Sequence, residues 1–169
     1  MLDLSCLRSI GFDYRYTLTR PRVDVELPDV RRGSLPVDPQ AAEALREMDR
    51  RRLTLILASD TVPERPRGPQ LDAAGITGLF KAVLQSHELG YRKPDQRFFT
   101  TITDQAGVAR HEIMYVGDRL DTDVIPALEA GMHAALVAPA GAWCGPLPRG
   151  AIRISHISEL LPMLPGGVR

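Results

Sequence analysis

Five short apolar segments, separated by stretches with helical spacing, constrain the fold of this chain more than any other feature. Each is six or seven residues long and is bounded by polar residues, glycine or proline; the segments are SIGFDY, LTLILAS, KAVLQS, IMYVGD and HAALVAP. Strands that alternate with helices pair in parallel through right-handed crossovers. The pattern predicts a doubly wound, three-layer α/β/α fold with a mainly parallel, Rossmann-like sheet, in one domain over residues 1–169.

The helices between these strands have recognisable ends. PVDPQAAEALREMDRRR offers Asp38 as an N-cap and Pro39 at the first helical position. DQRFFTTITDQAG is expected to end at Gly107, and DTDVIPALEAG at Gly131 with Pro126 near its first turn. SHISELLPML predicts a last short helix or turn.

Polar side chains stand where four of the predicted strands end. They are Asp13, Ser59, Ser86 and Asp118. In a doubly wound sheet, ligands bind beyond the carboxyl ends of the strands. The sequence therefore predicts a site that contains these four residues, although polar strand ends are common and carry little weight alone.

Composition excludes several classes of function. Twenty-one basic and 21 acidic residues cancel, so no net charge attracts the chain to nucleic acid or to an anionic membrane. The N-terminus lacks the pattern of a signal peptide, and no apolar run is long enough to span a membrane. Two distant cysteines provide neither a disulfide framework nor a zinc site. We expect a cytoplasmic protein.

Four motifs follow one another between Ile10 and Val137 and resemble those of the haloacid dehalogenase-like (HAD) hydrolase superfamily. The matching residues are Asp13 and Thr17 in DYRYT, Ser59 at the end of LTLILAS, Lys93 in GYRKPD, and Asp118 and Asp123 in VGDRLDTD. The last motif, with the helix pattern after it, is the most specific. One position departs from the family pattern, because Arg15 stands where the family has a second aspartate.

The resemblance implies a phosphatase that uses Mg²⁺. Asp13 would attack phosphorus and form an aspartyl phosphate. The metal ligands implied by the family are the carboxylates of Asp13 and Asp118 and the backbone carbonyl of Arg15, with Asp123 nearby.

The family also implies roles for the other motif residues. Thr17 would belong to the nucleophile loop, and Ser59 would donate a hydrogen bond to a phosphoryl oxygen. Lys93 would place an ammonium group beside the nucleophile. Lys93 and Lys81 are the chain's two lysines against a background of arginine, which singles out the motif position.

Arg15 leaves three functional interpretations open. Arginine is always charged and cannot replace the general acid and base that the family's second aspartate supplies. The favoured interpretation is a phosphatase with weakened or altered activity, which acts on good leaving groups or uses another acid or base such as Asp60 or His87. The alternatives are a pseudophosphatase that binds a phosphorylated partner, and a metal-independent dehalogenase.

The spacing of the motifs leaves no room for a cap domain. Residues 19–37 predict only a flap or hairpin, and one helix fits between Lys93 and Ile113. An open site suits a large or carrier-bound phosphorylated substrate, or a homodimer whose second subunit supplies a lid. The predicted loops 60–70 and 139–150 bring further candidates for substrate contact: Arg65, Arg67 and Trp143. Asp60 is expected either to serve the site or to cap. Asp121 is expected to be solvated.

Overall fold

The computed structural model describes residues 4–20, 35–143 and 145–166. Within these ranges six strands form one sheet: β1 Ser9–Phe12, β2 Thr54–Ser59, β3 Phe80–Gln85, β4 Ile113–Gly117, β5 His133–Val137 and β6 Ala151–Ile154. Five α-helices accompany them: α1 Pro39–Arg50, α2 Gly68–Ala73, α3 Ser86–Leu89, α4 Gln96–Ala106 and α5 Ile125–Glu129. Residues 21–34, which hold most of the predicted flap, lie outside the described residues.

The strand order confirms the predicted doubly wound fold. The six strands lie in the order β3-β2-β1-β4-β5-β6, and every pairing is parallel. The chain therefore changes direction across the sheet between β1 and β4, whose first residues, Ser9 and Ile113, are paired. In such sheets the crevice at the reversal point is where ligands bind.

Alternate residues of β2 show why the fold has three layers. Leu55 and Leu57 face a core built with α1, whereas Ile56 and Ala58 face a second core built with α4 and α5. Because side chains of a strand alternate between faces, a fully apolar strand needs cover on both sides. Helices on both faces of the sheet provide that cover.

The two longer helices begin and end where the sequence predicts. Asp38 caps α1 by accepting a hydrogen bond from the Gln40 N–H, and Pro39 occupies its first turn. Asp95 caps α4 in the same way through the Arg97 N–H, and α4 ends at Gly107 with a left-handed φ of 71°. These caps satisfy N–H groups that have no partner within the helix.

The helix predicted over residues 121–131 forms in two parts. A wide π turn, Leu120–Val124, precedes α5, and the N–H groups of Asp123 and Val124 both donate to the Arg119 carbonyl. Pro126 has no N–H to offer, which removes one regular helical bond at this point. The wide turn aims the Asp123 side chain back towards β4.

Two elements correct the expectations from sequence. The predicted loop 60–70 does not extend to its end, because α2 begins at Gly68, with Pro69 in its first turn and Leu71 buried. The strand β6 was not predicted, because four residues after a proline-rich loop carry little periodic signal. Between Lys93 and Ile113 the chain forms α4 and one 3₁₀ turn, Arg110–Glu112, as the spacing predicts.

Candidate active site

A cavity of about 990 Å³ opens at the carboxyl ends of the strands. Its wall contains Asp13 after β1, Ser59 at the end of β2, Ser86 after β3 and Asp118 after β4. Parallel strands end at one edge of the sheet, which brings residues far apart in sequence into a single crevice. All four residues predicted from the strand ends thus lie in this cavity.

Three carboxylates come together on the cavity wall. Asp13, Asp118 and Asp123 each present one oxygen, and these three oxygens lie within 4.8 Å of one another. Asp123 is fully buried, and its carboxylate accepts a hydrogen bond of 3.0 Å from the Arg119 N–H, which holds the π turn. Oxygen ligands of this kind are preferred by hard divalent cations. The cluster therefore fits a divalent cation.

Gly117, the last residue of β4, is required by the approach of Asp123. A β-carbon at position 117 would collide with the Asp123 carboxyl group. A side chain there would push Asp123 away from the cluster, so the glycine of the VGD motif has a packing role beside the acidic residues. This contact explains why the motif has glycine directly before Asp118.

Lys93 lies between two of the carboxylates and is almost completely buried. Its Nζ is 2.6 Å from Asp123 Oδ1, 3.0 Å from Asp13 Oδ1 and 3.2 Å from the Tyr115 hydroxyl. Burial acts to lower the pKa of Lys93, but the negative charges of Asp13 and Asp123 outweigh burial and hold that pKa well above its ordinary value. The lysine is therefore charged at neutral pH, and its donors are directed at the proposed nucleophile.

Two further residues position Lys93. The Asp60 carboxylate accepts a hydrogen bond of 3.1 Å from the Lys93 N–H, so it holds the lysine loop while also lining the cavity. The Tyr115 hydroxyl donates to the Ala58 carbonyl at 2.7 Å and so stays fixed beside the lysine. Tyr115 was missed at the sequence level, because a tyrosine within an apolar strand signals only packing.

Burial and mutual repulsion raise the pKa values of two of the carboxylates. Burial, with the negative charges of Asp13 and Asp123, raises the pKa of Asp118 to about 7. Burial also raises the pKa of Asp123, although the neighbouring Lys93 opposes that shift. Crowded acids with raised pKa values are typical of functional sites. A bound cation would relieve this repulsion.

A buried arginine lies on the other side of Asp13. Arg67 Nε donates to Ser59 Oγ at 3.2 Å, and the Arg67 guanidinium stacks over the Tyr14 ring at 4.5 Å. Burial lowers the pKa of Arg67, while the charge of Asp13 opposes that shift. Sequence placed Arg67 only on a loop as a candidate for substrate contact, and nothing in its pattern indicated burial beside Ser59.

The variant residue Arg15 lines the same cavity. Its Nη2 donates to the Tyr16 hydroxyl at 2.8 Å, and its guanidinium lies 4.6 Å from the centre of the Tyr16 ring. Tyr16 has a left-handed φ of 56°, and its N–H donates to Thr19 Oγ1. The turn after Asp13 therefore carries both side chains to the cavity.

The remaining candidates divide between the cavity and the protein interior. Thr17 is buried, its Oγ1 meets no hydrogen-bond partner among the described residues, and it is not part of the cavity wall. His87 is not part of the cavity wall either, and its Nδ1 lies 2.6 Å from Thr61 Oγ1. Arg65 and Trp143 line the cavity. Asp121 pairs with Arg119 at 2.8 Å in an exposed position, in agreement with the expected solvation.

Comparison with known proteins identifies the family. The sequence model described as haloacid dehalogenase-like hydrolase matches residues 13–131, which include all four motifs. The chain belongs to the haloacid dehalogenase-like hydrolase family. The HAD-like chain also has a Rossmann-like fold shared with a dehalogenase crystal structure, at 17% identity and a TM-score of 0.76 over 98% of this chain and 99% of that one.

Curated relatives of this HAD-like chain include phosphatases. It is 40% identical to a phosphoserine phosphatase of Thermus thermophilus over 106 residues, 63% of this chain and 42% of the relative. It is 43% identical to a glyceraldehyde 3-phosphate phosphatase of Methanocaldococcus jannaschii over 58 residues, 34% of this chain and 25% of the relative. The chain thus spans less than half of the length of these two relatives. No described helix is long and apolar enough to cross a membrane.

Proposed function

We propose that this chain is a Mg²⁺-dependent phosphatase that forms an aspartyl phosphate on Asp13, with activity altered by Arg15. The observation that carries the proposal is the position of Lys93, within 3.0 Å of Asp13 and 2.6 Å of Asp123, beside three clustered carboxylates in one cavity. Crowded acids with a buried lysine suit a nucleophile that must approach an anionic phosphoryl group. The phosphatases among the relatives support the same reaction.

Each residue has a role that follows from its contacts. Asp13 attacks phosphorus while Lys93 holds the carboxylate and the phosphoryl oxygens together. Ser59 Oγ accepts a hydrogen bond from Arg67 and donates a long one, 3.4 Å, to the Asp60 carbonyl; with substrate bound, the hydroxyl would turn to donate to a phosphoryl oxygen. A magnesium ion held by the carboxylates of Asp13, Asp118 and Asp123, with the Arg15 carbonyl, would supply positive charge to the phosphoryl group.

Arg15 changes the proton transfers rather than the attack. The guanidinium stays charged, so it neither protonates a leaving oxygen nor accepts a proton from water. General acid-base assistance typically contributes about 10²- to 10⁴-fold in rate. Hydrolysis of an alkyl phosphate should therefore be slow in the wild type, and Arg15→Asp should accelerate it by a factor in that range.

The decisive experiment is hydrolysis of an aryl phosphate with Mg²⁺ by the wild type and Asp13→Asn. We expect measurable wild-type turnover and a loss of at least about 10⁴-fold in the variant, because the nucleophile is removed while the cavity keeps its shape. Circular dichroism and the unfolding midpoint check that Asp13→Asn is folded. Turnover that survives the substitution would contradict the proposal.

The presence of Arg15 is the observation that favours a second function, phosphate binding without turnover. A guanidinium binds phosphate oxygens well and cannot assist hydrolysis. The same assay separates the two functions. Complete lack of wild-type turnover, combined with Mg²⁺-dependent binding of orthovanadate, would replace the phosphatase with a binding module.

A further inference from the structure

Positive charge accumulates on the cavity wall beyond what the neighbouring acids balance. Six cationic side chains line the cavity: Arg15, Arg65, Arg67, Arg92, Lys93 and Arg119. Three of them form ion pairs with acids of the same wall, Lys93 with Asp13 and Asp123, Arg92 with Asp60, and Arg119 with Asp121. Among the described residues no carboxylate lies within ion-pair distance of Arg15 or Arg65. Arg15 and Arg65 are therefore available to bind an anionic group that enters the cavity.

Arg15 has a donor left over in a position that favours such a ligand. Its Nη2 is engaged by the Tyr16 hydroxyl, which together with the ring contact fixes the guanidinium at the cavity. Its Nε is buried and meets no hydrogen-bond partner among the described residues. Buried donors in folded proteins almost always find an acceptor. The Arg15 guanidinium on the cavity wall is thus incompletely paired, and an anion bound beside it would balance its charge.

The neighbouring arginine strengthens this local field. The Arg15 charge lies close enough to Arg67 to lower the pKa of that buried guanidinium further. Two guanidinium groups near each other, both on the cavity wall, repel in the absence of a ligand. Binding of one anionic group between or beside them would remove that repulsion.

In-line attack defines where the extra anionic group belongs. In phosphoryl transfer the attacking and leaving oxygens lie on opposite sides of phosphorus. Asp13 attacks from the floor of the cavity, next to Lys93, so the leaving group lies towards the cavity space. About 990 Å³ is ample for a group attached to the phosphoryl. Arg15 and Arg65 border this space and are not engaged by acids of the described residues.

The chemistry of departure then limits the substrate. As the oxygen–phosphorus bond to Asp13 forms, the bond to the leaving oxygen breaks and its electron pair stays on that oxygen. A carboxylate or a phosphate monoester leaves as a stable anion, since its conjugate acid has a pKa of about 4 to 6. An alkoxide requires a proton that no arginine can donate. Water then attacks phosphorus, the bond to Asp13 breaks, and the proton of water passes to released phosphate or to solvent.

We infer that this site selects phosphoryl donors whose leaving group is itself an anion, a phosphoanhydride or an acyl phosphate, and that Arg15 binds that leaving group. The inference rests on the proposed nucleophilic role of Asp13. It adds a substrate class and a direct substrate contact for Arg15. Arginine in place of an acid then changes which leaving group is favoured.

The test compares kcat/KM across leaving groups in the presence of Mg²⁺. Acetyl phosphate and a nucleoside diphosphate represent the two anionic leaving groups, a carboxylate and a phosphate monoester. Glycerol phosphate represents the alkoxide, and aryl phosphates of graded leaving-group pKa fill the range between them. We expect the wild type to favour acetyl phosphate or the nucleoside diphosphate over glycerol phosphate by at least about 100-fold, the lower end of the value of a general acid. The better of the two anionic substrates identifies the leaving group.

Variants separate the role of Arg15 from intrinsic differences in reactivity between the substrates. Arg15→Met should lower kcat/KM for the favoured anionic substrate by about tenfold to 100-fold, the value of a charge-assisted hydrogen bond, without improving glycerol phosphate. Arg15→Asp should improve glycerol phosphate and flatten the dependence on leaving-group pKa. Arg50→Met is the matched control, because Arg50 lies exposed at the end of α1 and should leave every ratio unchanged.

The outcomes distinguish this inference from the proposed function. Turnover that depends on Asp13 but is equal for alkyl and anionic leaving groups, or is unaffected by Arg15→Met, overturns the inference alone. Turnover that survives Asp13→Asn overturns the phosphatase mechanism. If no substrate turns over, binding decides: methylenediphosphonate should bind at least about tenfold more tightly than methylphosphonate, and Arg15→Met should abolish the difference. Equal binding of the two phosphonates overturns the inference.

Discussion

Acidic side chains predominate on one side of the cavity, and arginines predominate on the other. We call the first the carboxylate side, formed by Lys93, Asp118 and Asp123, and the second the arginine side, formed by Arg15 and Arg67 with Ser59. Asp13, at the end of β1, lies between them, because β1 lies between β2 and β4 in the sheet. The two sides therefore meet at the proposed nucleophile.

The difference shows that one site can suit two ligands of opposite charge. On the carboxylate side the protein itself brings the negative charges, and Lys93 offsets only part of them, so the pKa of Asp118 rises to about 7 through burial and repulsion. A cation would balance the charge of that side. On the arginine side the protein brings positive charge, which an anion would balance. Substitutions on the carboxylate side should therefore change charge balance and cation binding, and substitutions on the arginine side should change anion binding.

The largest expected effect is the removal of the lysine on the carboxylate side. Lys93→Met leaves Asp13 and Asp123 buried without their shared partner, which should destabilise the metal-free protein by about 3–5 kcal/mol at pH 8. Burial raises the pKa of Asp123 to about 6, and loss of the opposing Lys93 charge should raise that pKa further, so the folded variant binds more protons than its unfolded state. The destabilisation should therefore be complete at pH 8 and become smaller as pH falls towards 5.

Urea unfolding with EDTA at pH 8 and pH 5 measures this effect. Lys81→Met provides a matched control, since Lys81 is exposed and donates a long hydrogen bond, 3.3 Å, to the Ala106 carbonyl. Its substitution should change the free energy of unfolding by no more than about 0.5 kcal/mol at either pH. Equal losses for the two lysine variants, or a Lys93→Met loss that does not depend on pH, would contradict the charge balance described for this side.

Metal binding should depend on pH because protons and cations compete for the same carboxylates. Below about 7 the Asp118 carboxyl is protonated in the metal-free protein and must release its proton on binding. The apparent Kd for Mg²⁺ should therefore rise about tenfold for each pH unit below 7 and level off above it. Asp123, whose pKa burial also raises, should steepen the dependence at lower pH.

Calorimetry in two buffers with different ionisation enthalpies counts the protons released. We expect close to one proton per cation at pH 6 and much less at pH 8. Asp118→Asn should weaken Mg²⁺ binding and remove this dependence around pH 7, whereas Asp121→Asn, an exposed change in the same loop, should preserve it. Affinity that stays constant between pH 6 and pH 8 would show that Asp118 is not protonated in the metal-free site.

The two sides also differ in how far the sequence predicts them. The carboxylate side follows from short motifs, because the strand end, Gly117 and the π turn fix Asp118 and Asp123 within seven consecutive residues. The first five strands are equally predictable from local sequence, since each is a short apolar run, whereas β6 carries little periodic signal. Lys93 is distant in sequence, but its motif and the rarity of lysine reveal it.

The arginine side depends on packing between segments that carry no motif. Arg67 reaches Ser59 because α2 begins immediately after it and Gln85 accepts from the Arg67 N–H at 2.8 Å. Nothing in the letters PERPRGPQ distinguishes this buried arginine from the exposed Arg65 two residues earlier. Propensity and periodicity describe one element at a time, whereas the burial of Arg67 arises from the meeting of β2, β3 and α2. Such a residue is found only when the fold is known.

The smallest expected effect tests whether the two sides act independently. Arg67→Met should weaken binding of orthovanadate, a phosphate mimic, by about tenfold to 100-fold, because Ser59 loses its partner and the anion loses a neighbouring charge. Arg67→Lys keeps the charge but not the planar donor group, so its affinity should lie between the two. In both variants Mg²⁺ affinity at pH 8, measured without vanadate, should change by less than about twofold to threefold, as expected for groups without shared ligands.

Because Arg67 also stacks on Tyr14, the unfolding midpoint must confirm that each variant is folded. Loss of Mg²⁺ affinity as large as the loss of vanadate affinity would mean that the two sides form a single coupled network, since removal of one positive charge should otherwise leave cation binding almost unchanged.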